Sequence, residues 1–109
     1  MARLTSGFWV QAYLARLSAA AIPAYVQRRG DGTAGAVVVK LATLDGQAQA
    51  FQRTLGVDGA RHWTVFSEGG EAEVDAAIAR QHRVDPDLWV IEVEDRAGRH
   101  LLAEEWLSE

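Results

Sequence analysis

Asp-Gly turns recur at nearly even intervals through the middle of the chain. They begin at residues 31, 45 and 58, and Asp-Gly favours a tight turn because both residues tolerate positive φ. The segments 36–44, 47–55 and 61–67 are rich in Val, Phe, Trp and Thr, which favour β-strands. We therefore predict an antiparallel β-meander, with residues 25–29 as a further strand ahead of it.

A helix is predicted at the N-terminal end, from residue 7 to residue 21. Thr5 or Ser6 can cap its start, and Pro23 ends it. An apolar stripe at helical spacing is formed by Val10, Leu14, Leu17 and Ala21, widened by Tyr13. The opposite side carries alanines instead of charged residues, namely Ala12, Ala15 and Ala19. We expect such a helix to be buried on more than one side, by its own sheet or by a second copy of the chain.

A second helix and a last strand complete the predicted fold. The helix, residues 70–82, begins with acidic and ends with basic residues, which complements the helix dipole. In the strand, residues 88–95, alternation places Trp89, Ile91 and Val93 on one face and Leu88, Val90, Glu92 and Glu94 on the other. Residues 100–102 can pair back on this strand as a hairpin. Residues 1–109 are thus predicted to form a single α+β domain: N-terminal helix, antiparallel β-meander, second helix, and a C-terminal strand or hairpin that joins the same sheet.

The composition excludes several functional classes. The chain has no cysteine, which rules out disulfides, thiolate nucleophiles, iron–sulfur clusters and cysteine zinc sites and suits a reducing cytoplasm. The net charge of −4 argues against binding of duplex nucleic acid, which requires a basic face. No apolar stretch is long enough to span a membrane. The segment 30–35 fits the G-x-G-x-x-G pattern, but a strand follows it where a dinucleotide site needs a helix, so we expect a glycine-rich turn and no cofactor.

Acidic residues near the last strand give the first candidate site. Glu92 and Glu94 share one strand face, with Asp87 close in sequence. Lys40 lies on a strand face with Val38 and can reach such a site. Such carboxylates can hold Mg²⁺ or Mn²⁺, or act as acid and base when their surroundings separate their pKa values. The alternative is a solvated strand face, on which Arg96, Arg99 or Lys40 pairs with the carboxylates.

Two further candidates concern binding. Arg28 and Arg29 lie beside a glycine turn, with Lys40 across the hairpin, and can grip a phosphate or carboxylate; solvated hairpin charges are the alternative. Trp9 and Trp106 are candidate interface residues because tryptophan is enriched at binding hot spots. For Trp9 a place in the core is the alternative interpretation.

Three blocks of sequence resemble a known family. They are residues 2–10, residues 28–31 with 34–40, and residues 85–99, which includes Asp-Pro-Asp-Leu-Trp-Val-Ile-Glu-Val-Glu-Asp-Arg. The chain resembles domain-of-unknown-function family 1491, a group of small bacterial proteins. The resemblance implies a stand-alone domain in a bacterial cell, and it brings no activity, substrate or catalytic residue.

These observations favour a non-catalytic cytoplasmic module that binds a protein partner or itself, as a homodimer or larger homo-oligomer. The alternative is a small enzyme or ligand-binding protein with a divalent-metal site around Glu92 and Glu94, or with an anion site at Arg28 and Arg29. No motif decides whether the protein is an enzyme.

Overall fold

The computed structural model describes residues 4–108; residues 1–3 and 109, which the single-domain prediction includes, lie outside that range. Its elements in chain order are α1 (Ser6–Ala19), β1 (Ala24–Arg28), β2 (Val37–Ala42), β3 (Gln47–Leu55), β4 (Arg61–Gly70), α2 (Glu71–Val84), β5 (Trp89–Glu94) and a short 3₁₀ turn (Glu105–Ser108). The predicted α+β class is confirmed.

The five strands form one mixed sheet in the order β1-β5-β2-β3-β4. β2, β3 and β4 are the predicted antiparallel meander. β1 does not join that meander, because it pairs only with β5, which lies between β1 and β2 and runs parallel to β2. A parallel pair needs a long crossover, which β3, β4 and α2 supply.

The loop before β2 is not a hairpin turn, and this explains why β1 and β2 are not neighbours. Asp31 N–H donates to Asp87 O at 3.0 Å, and Gly7 N–H donates to Gly32 O at 2.9 Å. Gly35 lies so close to Asp87 O that a Cβ would clash with it. The glycine-rich segment therefore connects the start of α1 to the segment before β5, instead of turning a hairpin.

α1 covers one face of the sheet. Thr5 caps its first turn, as predicted, and its buried side chains are Ser6, Trp9, Val10, Tyr13 and Leu17. They pack on the sheet side chains Val37, Val39, Leu41, Phe51, Trp89, Ile91 and Val93. Strand alternation sends these residues to one face, so the predicted assignment of β5 side chains to faces is confirmed.

α2 covers the other face with a smaller core. Val74 and Ile78 of α2 pack on Val38, Ala48, Ala50, Leu88 and Val90. The two alanines let the helix lie close to the sheet. The first turn of α2 carries Glu71 and Glu73, which favour the positive end of the helix dipole.

The C-terminal segment, residues 100–108, crosses the α1 side of the molecule. Of the two predicted alternatives for the C-terminal end, the single strand β5 is observed and the hairpin is not. Residues 100–102 form no strand: Leu101 has φ of 60° and the segment ends in the 3₁₀ turn. Leu107 is fully buried, and its carbonyl accepts hydrogen bonds from Trp9 Nε1 at 3.1 Å and Trp63 Nε1 at 2.9 Å. The C-terminal segment is therefore docked on the domain through Leu107.

Leu107→Ala is expected to destabilise the fold by about 3 kcal/mol, because the substitution removes a fully buried side chain that holds the C-terminal segment in place. The neighbouring Trp106 is partly exposed, so Trp106→Ala should cost under about 1 kcal/mol. Urea unfolding followed by tryptophan fluorescence measures both. Equal losses for the two variants would contradict the docking of Leu107.

Candidate functional site

Lys40 stands at the centre of the sheet and is the only lysine in the chain. Its strand, β2, runs parallel to β5, and the register sets Lys40 opposite Glu92. Both side chains project toward α2, on the same face as Val38 and Val90. Lys40 is 3% exposed and Glu92 is 7% exposed, so the two charged groups are buried together.

The ammonium group of Lys40 contacts three carboxylates. Nζ lies 2.7 Å from Asp75 Oδ1, 2.9 Å from Glu71 Oε2 and 3.5 Å from Glu92 Oε1. Glu71 and Asp75 are four residues apart on α2, so both extend from one side of the helix toward the sheet. We call Lys40, Glu71, Asp75 and Glu92 the lysine cluster.

The electrostatics of the lysine cluster keep Lys40 charged. Burial alone would lower its pKa, but hydrogen bonds to Asp75 and Glu71 and the charge of Glu92 outweigh burial, so the pKa of Lys40 is raised. A protonated amine has no lone pair for attack on a carbonyl. The lysine cluster is therefore an ion-pair network that connects α2 to the sheet. Its geometry does not leave Lys40 available as a nucleophile.

Tyr25 on β1 lies opposite Glu92. Burial, the charge of Glu92 and a hydrogen bond to it raise the pKa of Tyr25. This contact between Tyr25 and Glu92 links the lysine cluster to β1, the edge strand of the sheet.

Sequence reasoning found Lys40 and Glu92 but missed Glu71 and Asp75, which were interpreted only as favourable charges at a helix start. Their spacing was the available signal, because they alternate along α2 with the buried Val74 and Ile78. A lone lysine in an otherwise apolar strand also indicates nearby carboxylates.

The other acidic candidates lie apart from the cluster. Glu94 is half-buried at the end of β5 and makes no ion pair with residues 4–108. Asp87 precedes β5, about 16 Å from Glu92 along an extended strand, and holds the glycine-rich loop. Within residues 4–108, no group of three acidic or histidine side chains could hold a metal ion. The three carboxylates of the lysine cluster surround the ammonium of Lys40 instead.

The expected arginine partners of Glu92 are also corrected. Arg99 pairs with Asp95 at 2.9 Å, and its hydrogen bonds lower the pKa of Asp95. Arg96 is exposed in the turn after β5. Lys40 is the cation that neutralises Glu92, because it lies in the adjacent strand at the same level.

The basic candidates do not form one anion site. Arg28 lines a groove between β1 and α2, where Asp75 lies on the opposite wall. Arg29 turns away, and its guanidinium stands 5.4 Å from the centre of the Trp89 ring. Lys40 is held by carboxylates. An anion at Arg28 would therefore face a carboxylate, which disfavours it.

Trp9 lies in the core, which was the alternative interpretation of this residue. It is 1% exposed, and its ring contacts Tyr13 and Trp63 at centroid distances of 4.9 and 5.4 Å. The C-terminal segment covers it, which a helical pattern alone does not predict. Trp106 is 38% exposed and remains at the surface, where its Nε1 donates to Glu104 at 3.2 Å.

α1 exposes a surface without charged side chains. We define the α1 outer face by Phe8, Gln11, Ala12, Ala15 and Ala19. Phe8 is 58% exposed, and Ala12 is half-buried while the others are exposed. The one charged residue of α1, Arg16, forms an ion pair with Glu104 at 2.7 Å.

Within the described residues, neither helix has the length and apolar character to cross a bilayer.

Known proteins share this fold. A DUF1491 family protein from Caulobacter crescentus CB15, solved by crystallography, is 40% identical, with 94% of this chain and 97% of that chain covered and a TM-score of 0.85. The NMR structure of a DUF1491 family protein from Caulobacter crescentus CB15 is 40% identical, with 95% and 96% covered and a TM-score of 0.82. The solution structure of protein Atu0922 from A. tumefaciens is 28% identical, with 85% and 86% covered and a TM-score of 0.73.

No curated protein matches the chain. The family described as "Protein of unknown function (DUF1491)" matches residues 4–103, which is nearly the whole domain. The resemblance seen in the sequence is confirmed, and the chain belongs to the DUF1491 family.

Proposed function

We propose that the protein is a non-catalytic module that self-associates through the α1 outer face. The observation that carries the proposal is the exposed Phe8 ring on a helix side without charged residues. Burying such a surface removes apolar area from water, and no charged group has to lose its hydration. The lysine cluster supports the non-catalytic part, because its one amine is charged and bound by carboxylates.

The shape of the α1 outer face suits a second copy of the same helix. Phe8 is the large residue near one end, and Ala15 and Ala19 are small residues near the other. A two-fold axis that reverses the helix direction would place Phe8 of each copy on Ala15 and Ala19 of the other, with Ala12 near the crossing point. The large side chain then meets small ones on both sides of the axis.

The expected affinity is modest. α1 has 14 residues and is about 21 Å long, so its outer face alone gives an interface at the small end of the specific range. We expect a reversible homodimer that forms at micromolar or higher concentration. We place this module in the bacterial cytoplasm, which the absence of cysteine and the bacterial relatives support.

Phe8→Glu is expected to abolish self-association. A glutamate at this position completes a capping box with Thr5, which should keep α1 stable while it puts charge on the outer face. Sedimentation velocity over a wide concentration range measures the effect. Val57→Glu, at an exposed apolar residue in the β3–β4 turn, is the matched control and should associate like the unchanged protein. A monomer at millimolar concentration, or equal association of both variants, would sink the proposal.

The alternative proposal is that Glu92 binds a divalent metal ion. We expect Mg²⁺ and Mn²⁺ to leave the melting temperature unchanged, because the ammonium of Lys40 already neutralises this carboxylate. Thermal unfolding with and without each ion checks this. A rise in melting temperature that Glu92→Gln removes would favour the metal-site alternative instead.

A further inference from the structure

A crevice lies between the C-terminal segment and the β3–β4 hairpin, on the α1 side of the sheet. Its walls include Phe51, Trp63, His100 and Leu102. Its volume of about 350 Å³ falls in the range of small-molecule sites. It shares no residue with the α1 outer face or with the lysine cluster.

The aromatic walls of the crevice are held in place. The Phe51 and His100 ring centroids are 4.7 Å apart. Trp63 is fixed by its hydrogen bond to Leu107 O, and the Arg53 guanidinium lies 5.1 Å from the centre of its ring. Fixed aromatic surfaces favour a flat ligand, because a planar ring stacks on them without reorganisation.

His100 supplies a hydrogen-bond donor at this crevice. Its Nδ1 accepts the Leu102 backbone N–H at 2.9 Å, so the proton of the neutral ring is on Nε2. Burial lowers the pKa of His100, which keeps the ring neutral near pH 7. Tyr13 holds the residue from below by donating to His100 O at 2.9 Å. Among residues 4–108, Nε2 has no hydrogen-bond partner.

We propose that the crevice binds a small, uncharged, planar molecule: an aromatic or heteroaromatic ring that carries a carbonyl group. The ring stacks against Trp63, which is more exposed than the buried Phe51, and the carbonyl oxygen accepts the Nε2–H of His100. Of the other polar side chains that line the crevice, His62 is paired with Asp58 and Ser108 donates to Glu105 O. The His100 Nε2–H is a neutral donor, which matches a neutral acceptor better than an ion.

Benzamide is the probe that tests the proposal, with cyclohexanecarboxamide as a non-planar control of similar size. Each is titrated into the ¹⁵N-labelled protein and followed by NMR. Benzamide should shift the Trp63 indole N–H and the Leu102 amide saturably, with affinity at least about threefold above that of the control, from ring stacking. Absence of saturable shifts, shifts elsewhere on the domain, or equal affinity for both probes would overturn the proposal.

Two substitutions at His100 distinguish the loss of the hydrogen-bond donor from a loss of the folded structure. In His100→Asn the side-chain oxygen can still accept the Leu102 N–H, but the Nε2–H donor is lost. We expect this variant to stay folded and to bind benzamide roughly three- to tenfold more weakly, the loss of about one hydrogen bond. His100→Gln, which can present an N–H near the Nε2 position, should bind more tightly than His100→Asn. If the asparagine variant is folded and binds benzamide undiminished, His100 is not the donor and the proposal fails.

Discussion

Lys40→Met is expected to destabilise the protein by about 3 kcal/mol, because it leaves Glu92 buried without its cation. Glu92 is almost inaccessible to water, so its charge cannot be solvated in the folded state. The half-exposed carboxylates of Glu71 and Asp75 can return to water, which holds the loss near the lower end for a broken buried ion pair. Urea unfolding monitored by circular dichroism measures the change.

The double variant Lys40→Met with Glu92→Gln is the control for this experiment. Replacing both buried charges by neutral groups of similar size costs little compared with removing one partner. We therefore expect the double variant to recover more than half of the lost stability. A single variant as stable as the unchanged protein, or a double variant no better than the single one, would show that Glu92 does not depend on Lys40.

Trp9→Ala is expected to cost about 4 kcal/mol, since it empties a fully buried site beneath the C-terminal segment. Phe8 is the adjacent residue on the same helix, yet Phe8→Ala should change stability by less than about 1 kcal/mol because its ring is mostly in water. The two substitutions should have the opposite order of effects on self-association. Phe8→Ala should weaken the dimer, and measured per folded molecule Trp9→Ala should not.

Unfolding curves and sedimentation of both variants check this contrast. A large stability loss for Phe8→Ala would mean that its ring packs within its own chain. Unchanged association of Phe8→Ala would remove the main support for the α1 outer face as an interface.

Local chemistry predicted much of the fold. Gln47–Leu55 was predicted with its exact bounds, because Asp-Gly turns mark both of its ends. The place of β1 was not predictable in this way. β1 reaches the edge of the sheet because β5, about 60 residues later, inserts between it and β2, and that order depends on a parallel contact between distant strands.

The candidate site was predictable to a similar degree. Strand alternation placed Glu92 on the correct face, but its pairing with Lys40 depends on the register of β2 against β5. For Trp9, local sequence did not predict the burial of the side chain. Helical spacing centred the buried stripe on Val10, Leu14 and Leu17, whereas the C-terminal segment extends the buried side over Trp9. Contacts made by a distant segment leave no local pattern in the sequence.

An intermolecular NOE between the Phe8 ring and the Ala19 methyl group is the most direct test of self-association through α1. A sample that mixes labelled and unlabelled protein selects contacts between copies. Phe8 and Ala19 are eleven residues apart on one helix, about 16 Å, so the signal cannot arise within a single chain. We predict this NOE at millimolar concentration. Intermolecular NOEs confined to another surface, or none at a concentration where sedimentation shows dimer, would contradict the account.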